Sequence, residues 1–223
     1  MTWEQKEEFY SFILTNKVVG CFKDPLKLKS GRISHWYVNW RTIAEDVFLI
    51  DQLTEFVLLF IKHLKVTPNC FYGVPEGATK LAILLQYKWA LRHKPLKPGM
   101  FPLSMGRGKP KDHGDIKDQF FLGYPKGDVI IIEDTTTTGN SLLASINLFK
   151  KMKIKILATL GLTNRNELRD DGKSVGEAIN ESGIPYYAMS NALELLPRLK
   201  LSETMKNHVI NYFKSYGEQD IKF

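Results

Sequence analysis

Two adjacent carboxylates, Glu133 and Asp134, close the apolar run Val129–Ile132, and Thr135, Thr136, Thr137, Thr138, Gly139, Asn140 and Ser141 follow at once. Neighbouring carboxylates at a strand end can accept hydrogen bonds from two adjacent hydroxyls of a sugar. The Thr/Gly segment opens a helix whose first amides have no partner, and the helix dipole favours an anion there. Gly139 can take backbone angles denied to other residues, and the threonine hydroxyls add neutral donors. The stretch reads as an acid pair for a diol and an amide nest for a monoester phosphate. For a single Ser or Thr, a plain polar helix cap explains as much. Four threonines, a glycine and a buried acid pair together point to a ligand. Other nucleotide loops fit poorly: there is no G-x-x-x-x-G-K-[ST], and Gly106-Arg107-Gly108 lacks the third glycine of a dinucleotide fingerprint.

Four other segments carry candidate groups. Leu28-Lys29-Ser30-Gly31-Arg32-Ile33-Ser34 precedes Tyr37, Asn39 and Arg41. Gly73–Ala78 (GVPEGA) has Lys80 just beyond it, and an ordinary strand-to-helix turn is an equal account of it. Arg107–Asp115 (RGKPKDHGD) is basic and rich in glycine. Arg165 ends Leu160–Arg165 (LGLTNR), where it could clamp a planar carboxylate through two parallel hydrogen bonds. His35, His63, His93 and His208 show no metal-ligand spacing, so no protein metal ligands are assigned. Trp36 and Tyr37 read as core packing rather than as contacts to a base.

These segments must be held by a scaffold, and hydrophobic period supplies it. Thr2-x-x-Gln5 reads as a capping box for a first helix. Residues 47–64 put Phe48, Leu49, Leu53, Phe56, Val57, Phe60, Ile61 and Leu64 on one face. Strands are expected at 70–74, 128–133, 154–162 and 184–189, with a weaker one at 100–104. Helices are expected at 77–92, 141–151 and 202–216, the last with Gly217 as C-cap. Ser174-x-x-Glu177 is a second capping box. Residues 105–119 read as a mobile polar loop. Alternating strands and helices predict an α/β fold with a central, mainly parallel sheet flanked by helices. Such sheets bind ligands beyond their strands' C-terminal ends, which selects the segments after Val74, Glu133 and Leu162.

Bulk properties narrow the setting. The 223 residues show no repeat or linker, so residues 1–223 read as one domain. Lys and Arg exceed Asp and Glu by 31 to 24, a charge of +7 that suits an anionic ligand or merely a solvated basic surface. Two cysteines without a C-x-x-C exclude a disulfide scaffold or a zinc ribbon. Neither a signal-peptide core nor a membrane-length apolar run is present, so the expected location is the cytoplasm.

The strand, acid pair and Thr/Gly loop of Val129–Ser141 resemble the signature of type I phosphoribosyltransferases. LKSGR-x-S, the Lys111-Asp112-His113-Gly114 run and Arg165 resemble, more narrowly, orotate phosphoribosyltransferases, over about Phe12 to Leu199. That resemblance implies a small N-terminal hood at residues 1–45 and a flexible catalytic loop. It implies that Glu133 and Asp134 bind the ribose hydroxyls of 5-phosphoribosyl 1-diphosphate and that residues 135–141 hold its 5-phosphate. Lys29 would face the diphosphate and base, Gly73–Ala78 the diphosphate, and Arg165 the orotate carboxylate. Lys111 and Arg107 would stabilise charge on the departing diphosphate, with Lys109 beside them. His113 would bind diphosphate or donate a proton. Mg2+ would be held by substrate and water, and the loop would reach the partner's site in a homodimer. No membrane or nucleic-acid partner is implied. Four positions depart from the pattern: Glu133 for a common Asp, Thr135 for an aliphatic residue, Gly108 for a second Lys, and Asn164 for an Asp. Two alternatives stay open: transfer to another nucleobase, and a non-catalytic RNA-binding regulator on the same fold.

Overall fold

The computed structural model describes residues 3–28, 30–93 and 95–223. The chain begins with helix α1 (Lys6–Thr15) and a hairpin of β1 (Val19–Lys27) and β2 (Ile33–Val38). A short α2 (Arg41–Ala44) and the long α3 (Val47–His63) follow. Then come β3 (Cys70–Gly73), α4 (Thr79–Arg92), β4 (Met105–Gly106), α5 (Ile116–Phe120) and β5 (Phe121–Gly123). The second half holds β6 (Val129–Thr136), α6 (Asn140–Lys151), β7 (Ile156–Asn164), α7 (Val175–Asn180), β8 (Tyr186–Asn191), α8 (Ala192–Leu195), a 3-10 turn at Leu196–Arg198, and α9 (Glu203–Tyr216).

The central sheet is four-stranded, in the order β3-β6-β7-β8, and every pairing is parallel. A parallel sheet must be covered on both faces, which is why its middle strand is a continuous apolar run. Side chains alternate faces along β6. Ile130 and Ile132 enter one core with α1, α3, α4, β2 and α9, while Val129 and Ile131 enter a second with α6, α7 and Phe121. The buried side chains of the N-terminal region, among them Phe9, Trp36 and Trp40, belong to the first core. Cys70 is fully buried, and burial pushes its thiol up to about 11.

Most expected elements are present, with shifted ends. On α3, Phe48 is 69% exposed, because the helix starts at Val47, capped by Asp46 accepting from Leu49 N, and its first turn faces out. Ile50 and Leu58 take the inward positions instead. Helix α1 starts at Lys6, and Gln5 makes no side-chain cap bond; Thr2 lies outside the described residues. The strand expected at 100–104 is absent, and pairing begins at Met105, beyond Pro102. Gly217 caps α9 as expected, at φ −75°, and a Cβ there would stand 2.6 Å from Phe213. The Ser174–Glu177 capping box forms in full. The β1–β2 hairpin, α2, α5, β5 and α8 were not predicted.

Candidate active site

The C-terminal ends of β3, β6 and β7 open into one cleft of about 340 Å³. It is lined by the segments after all three strands and by Tyr37, Asn39 and Arg41 from the hairpin and α2. Its floor is the end of β6. Glu133 is 7% exposed, and Asp134 is half-buried beside it. Thr135, Thr137, Thr138, Gly139, Asn140 and Ser141 continue the lining to the start of α6. Thr135 Oγ1 is buried with no hydrogen-bond partner in the protein, which suits a polar ligand atom. Gly139 has φ +68°, the left-handed region that lets the chain turn sharply into the helix.

Thr136 departs from the expected role. It is fully buried, and its hydroxyl shares a 2.5 Å hydrogen bond with Tyr186 Oη beneath the loop instead of entering the cleft. Burial pushes the Tyr186 phenol well above its ordinary range, so it stays neutral. Arg169 braces the loop from behind, donating to Thr138 O and, at 3.0 Å, to Asn140 Oδ1. Tyr186→Phe removes one buried hydrogen bond, which is worth about 1 kcal/mol. Thermal unfolding should fall by roughly 2–4 °C for a chain of this size. An unchanged melting temperature would show that the bond does not support the loop.

The facing wall is Val74–Gly77. A Cβ built on Gly77 would lie 2.4 Å from Asp134 Oδ2, so the absent side chain is what lets this loop close on the carboxylate. Lys80 points elsewhere, donating to Ala44 O at 3.1 Å. Leu28 and Ser30 line the cleft, while Lys29 between them lies outside the described residues.

Arg165 also lines the cleft, yet it is 2% exposed, unlike a surface arginine past a strand end. Its Nε donates to Glu167 Oε1 at 2.6 Å, and its guanidinium lies 3.6 Å from the centre of the Trp36 ring. Nη2 makes only long contacts, 3.4 Å to both Ser34 Oγ and Tyr212 Oη. Asn164 supplies Oδ1 as acceptor for Asn166 N at 3.0 Å. An aspartate could do the same, so this departure from the family pattern keeps the turn.

Residues 105–123 form a flap in which 107–115, within the polar loop expected at 105–119, have no regular secondary structure. Strands β4 and β5 pair antiparallel at its base, Lys111 N donates to Gln119 O at 3.0 Å, and Arg107 Nε donates to Asp118 O. Lys109, Lys111 and His113 are exposed, and none of them, nor Arg107, lines the cleft. Among the described residues, the site residues assigned from sequence therefore fall into two groups: those of 133–141 (Thr136 apart) and Arg165 converge, while the flap residues stand outside. At Gly108 a Cβ would come within 2.6 Å of Glu76 Oε1, so the glycine sits against the Val74–Gly77 wall. Sequence reasoning missed Arg32, Glu167, Arg169 and Tyr186. Only Arg32 carried a signal, as part of LKSGR.

No family model matches the chain. Among curated proteins, the orotate phosphoribosyltransferase of Aquifex aeolicus is 28% identical over 174 residues, 76% of this chain and 86% of that protein. The Thiobacillus denitrificans orotate phosphoribosyltransferase is 25% identical over 219 residues, 96% of this chain and 99% of its own. Among solved structures, the Francisella tularensis orotate phosphoribosyltransferase superposes with a TM-score of 0.68 at 24% identity, covering 94% of this chain and 99% of that one. Along most of its length the chain is similar in sequence to orotate phosphoribosyltransferases, and its fold, a parallel sheet with the acid pair and Thr/Gly loop at one cleft, is that of the solved phosphoribosyltransferase structures.

Proposed function

We propose that the protein transfers the phosphoribosyl group of 5-phosphoribosyl 1-diphosphate to N1 of orotate, as in pyrimidine nucleotide biosynthesis. The observation that carries this reading is the meeting, in one cleft, of the acid pair, the anion-binding loop and Arg165. The amides of 137–141 bind the 5-phosphate at the start of α6. Glu133 and Asp134 accept from the ribose hydroxyls and orient C1. Arg165 binds the carboxylate of orotate. The bond from C1 to the diphosphate oxygen breaks with its electron pair on the diphosphate, and N1 bonds to C1 as its proton passes to the departing diphosphate. Lys111 and Arg107, with Lys109, His113 and Lys29, stabilise the charge on the leaving group.

The donors of the cleft fit magnesium brought in with the substrate: two carboxylates line it where the ribose hydroxyls would lie, and among the described residues no three His, Cys, Asp or Glu side chains converge as a cage. Glu133 and Asp134 would hold the ion through those hydroxyls and water, and it would supply charge neutralisation on the diphosphate. The flap's exposed basic side chains suit a loop that closes over a cleft from outside, its own or the partner's in a homodimer. Reading residues 1–223 as one domain with an N-terminal hood belongs to the same proposal, as does a cytoplasmic location. Among the described residues, no helix is long and apolar enough to cross a membrane.

The test is a spectrophotometric assay with orotate, the activated sugar and magnesium, run beside uracil, adenine and hypoxanthine. Orotate should be consumed fastest, and chelating magnesium with EDTA should abolish turnover while the circular dichroism stays unchanged. Preference for another base would move the chain to that specificity. RNA binding without any transfer would overturn the enzyme reading.

A further inference from the structure

Glu167, two residues beyond Arg165, is fully buried, and both its oxygens are engaged. Oε1 accepts from Arg165 Nε at 2.6 Å, and Oε2 accepts from Arg32 Nη1 at 2.7 Å. Arg32 immediately precedes β2, is 9% exposed, and its Nη2 donates to Leu168 O at 2.6 Å and reaches Asp170 Oδ1 at 3.4 Å. The Tyr216 ring of α9 packs against its guanidinium. Burial works against the Arg32 charge, but the hydrogen bond and charge of Glu167 outweigh it and hold Arg32 above its ordinary value. The carboxylate thus bridges two guanidiniums that arrive from opposite ends of the sequence.

A buried ion pair adds little net stability when both charges lose their water, so stability alone is a weak reason for such a triad. Its geometry suggests another. The Nε edge of Arg165 faces Glu167 and its plane rests on Trp36, so the Nη edge is the part left to meet a ligand in the cleft it lines. Within the buried cluster two arginines face one glutamate, since Asp170, which reaches Arg32 from outside, is fully exposed; one ligand carboxylate would balance the remaining buried charge.

We propose that Glu167 is a positioning residue for the base. It fixes the plane of Arg165 so that the guanidinium receives the orotate carboxylate, and Arg32 holds Glu167 in place by binding its other oxygen. This rests on the orotate reading above. Glu167→Gln keeps the shape and removes the charge. It should raise the KM for orotate about tenfold or more, leave the KM for 5-phosphoribosyl 1-diphosphate within about twofold, and change kcat by less than about threefold. A purely structural role would lower the active fraction and leave both KM values alone. Arg32→Gln should raise the orotate KM in the same direction, and the double variant should be no worse than the more affected single, as expected of residues acting as a unit. If Glu167→Gln does not fold, Arg32→Gln carries the same test. An unmoved orotate KM in the folded variants, or an equal rise for both substrates, overturns the proposal. Absence of orotate turnover by the unaltered protein would instead defeat the functional reading itself, so the two failures are distinct.

Discussion

Lys111→Ala is expected to lower kcat by about 10²–10³, the cost of removing one charge-stabilising donor from a transition state. The fold should not notice. The Lys111 side chain is exposed, and the residue's bond to the flap runs through its backbone amide to Gln119 O, which the substitution leaves intact. Exposed substitutions of this kind change stability by no more than about 0.5 kcal/mol. The KM for orotate should hold, because the lysine acts on the diphosphate end of the reaction. Lys214→Ala, an equal loss of charge on the exposed side of α9, is the control and should keep its rate. Steady-state kinetics with thermal melting of both variants decides the matter. A Lys111→Ala enzyme with an ordinary rate would remove the flap from the chemistry.

Gly77→Ala is the second large effect, and it separates activity from stability. The new methyl group would fall 2.4 Å from Asp134 Oδ2, far inside contact distance. The atoms it meets are both oxygens and Cγ of that side chain, so the whole Asp134 side chain must rotate about its Cα–Cβ bond to clear it. The rotation is the harm: Asp134 leaves the position from which it would hold a ribose hydroxyl, and displacement of a positioning group by about 1 Å can cost about a hundredfold in rate. The loss should appear in kcat/KM for the activated sugar, with the melting temperature nearly unchanged. A normal kcat/KM would mean that Asp134 has no part in sugar binding. A collapse in stability would mean that Gly77 serves the fold.

These expectations draw on two kinds of information. Strand β6, the Thr/Gly turn and α6 were legible because their signals are local: an apolar run long enough for a buried parallel strand, a left-handed glycine, then helical period. The acid pair was legible for the same reason, since its place at a strand end follows from chain order. The β1–β2 hairpin was not, because β1 is mostly exposed after Val19 and its register shifts between Cys21 and Leu26, leaving no clean alternation to read. Thr136 could not be told from its neighbours, since which hydroxyl turns under the loop depends on Tyr186, 50 residues away.

The sequence by itself determined the chemistry that the Val129–Ser141 segment offers, because donors, carboxylates and backbone freedom belong to residue types in a row. Only the tertiary structure decided which other groups join it. Glu167 reaches Arg32 across 135 positions of sequence, and Arg165 gains its burial and orientation from Trp36, Tyr212 and Glu167 together. Such contacts arise from the packing of β2, β7 and α9 around one core, and no local pattern encodes them.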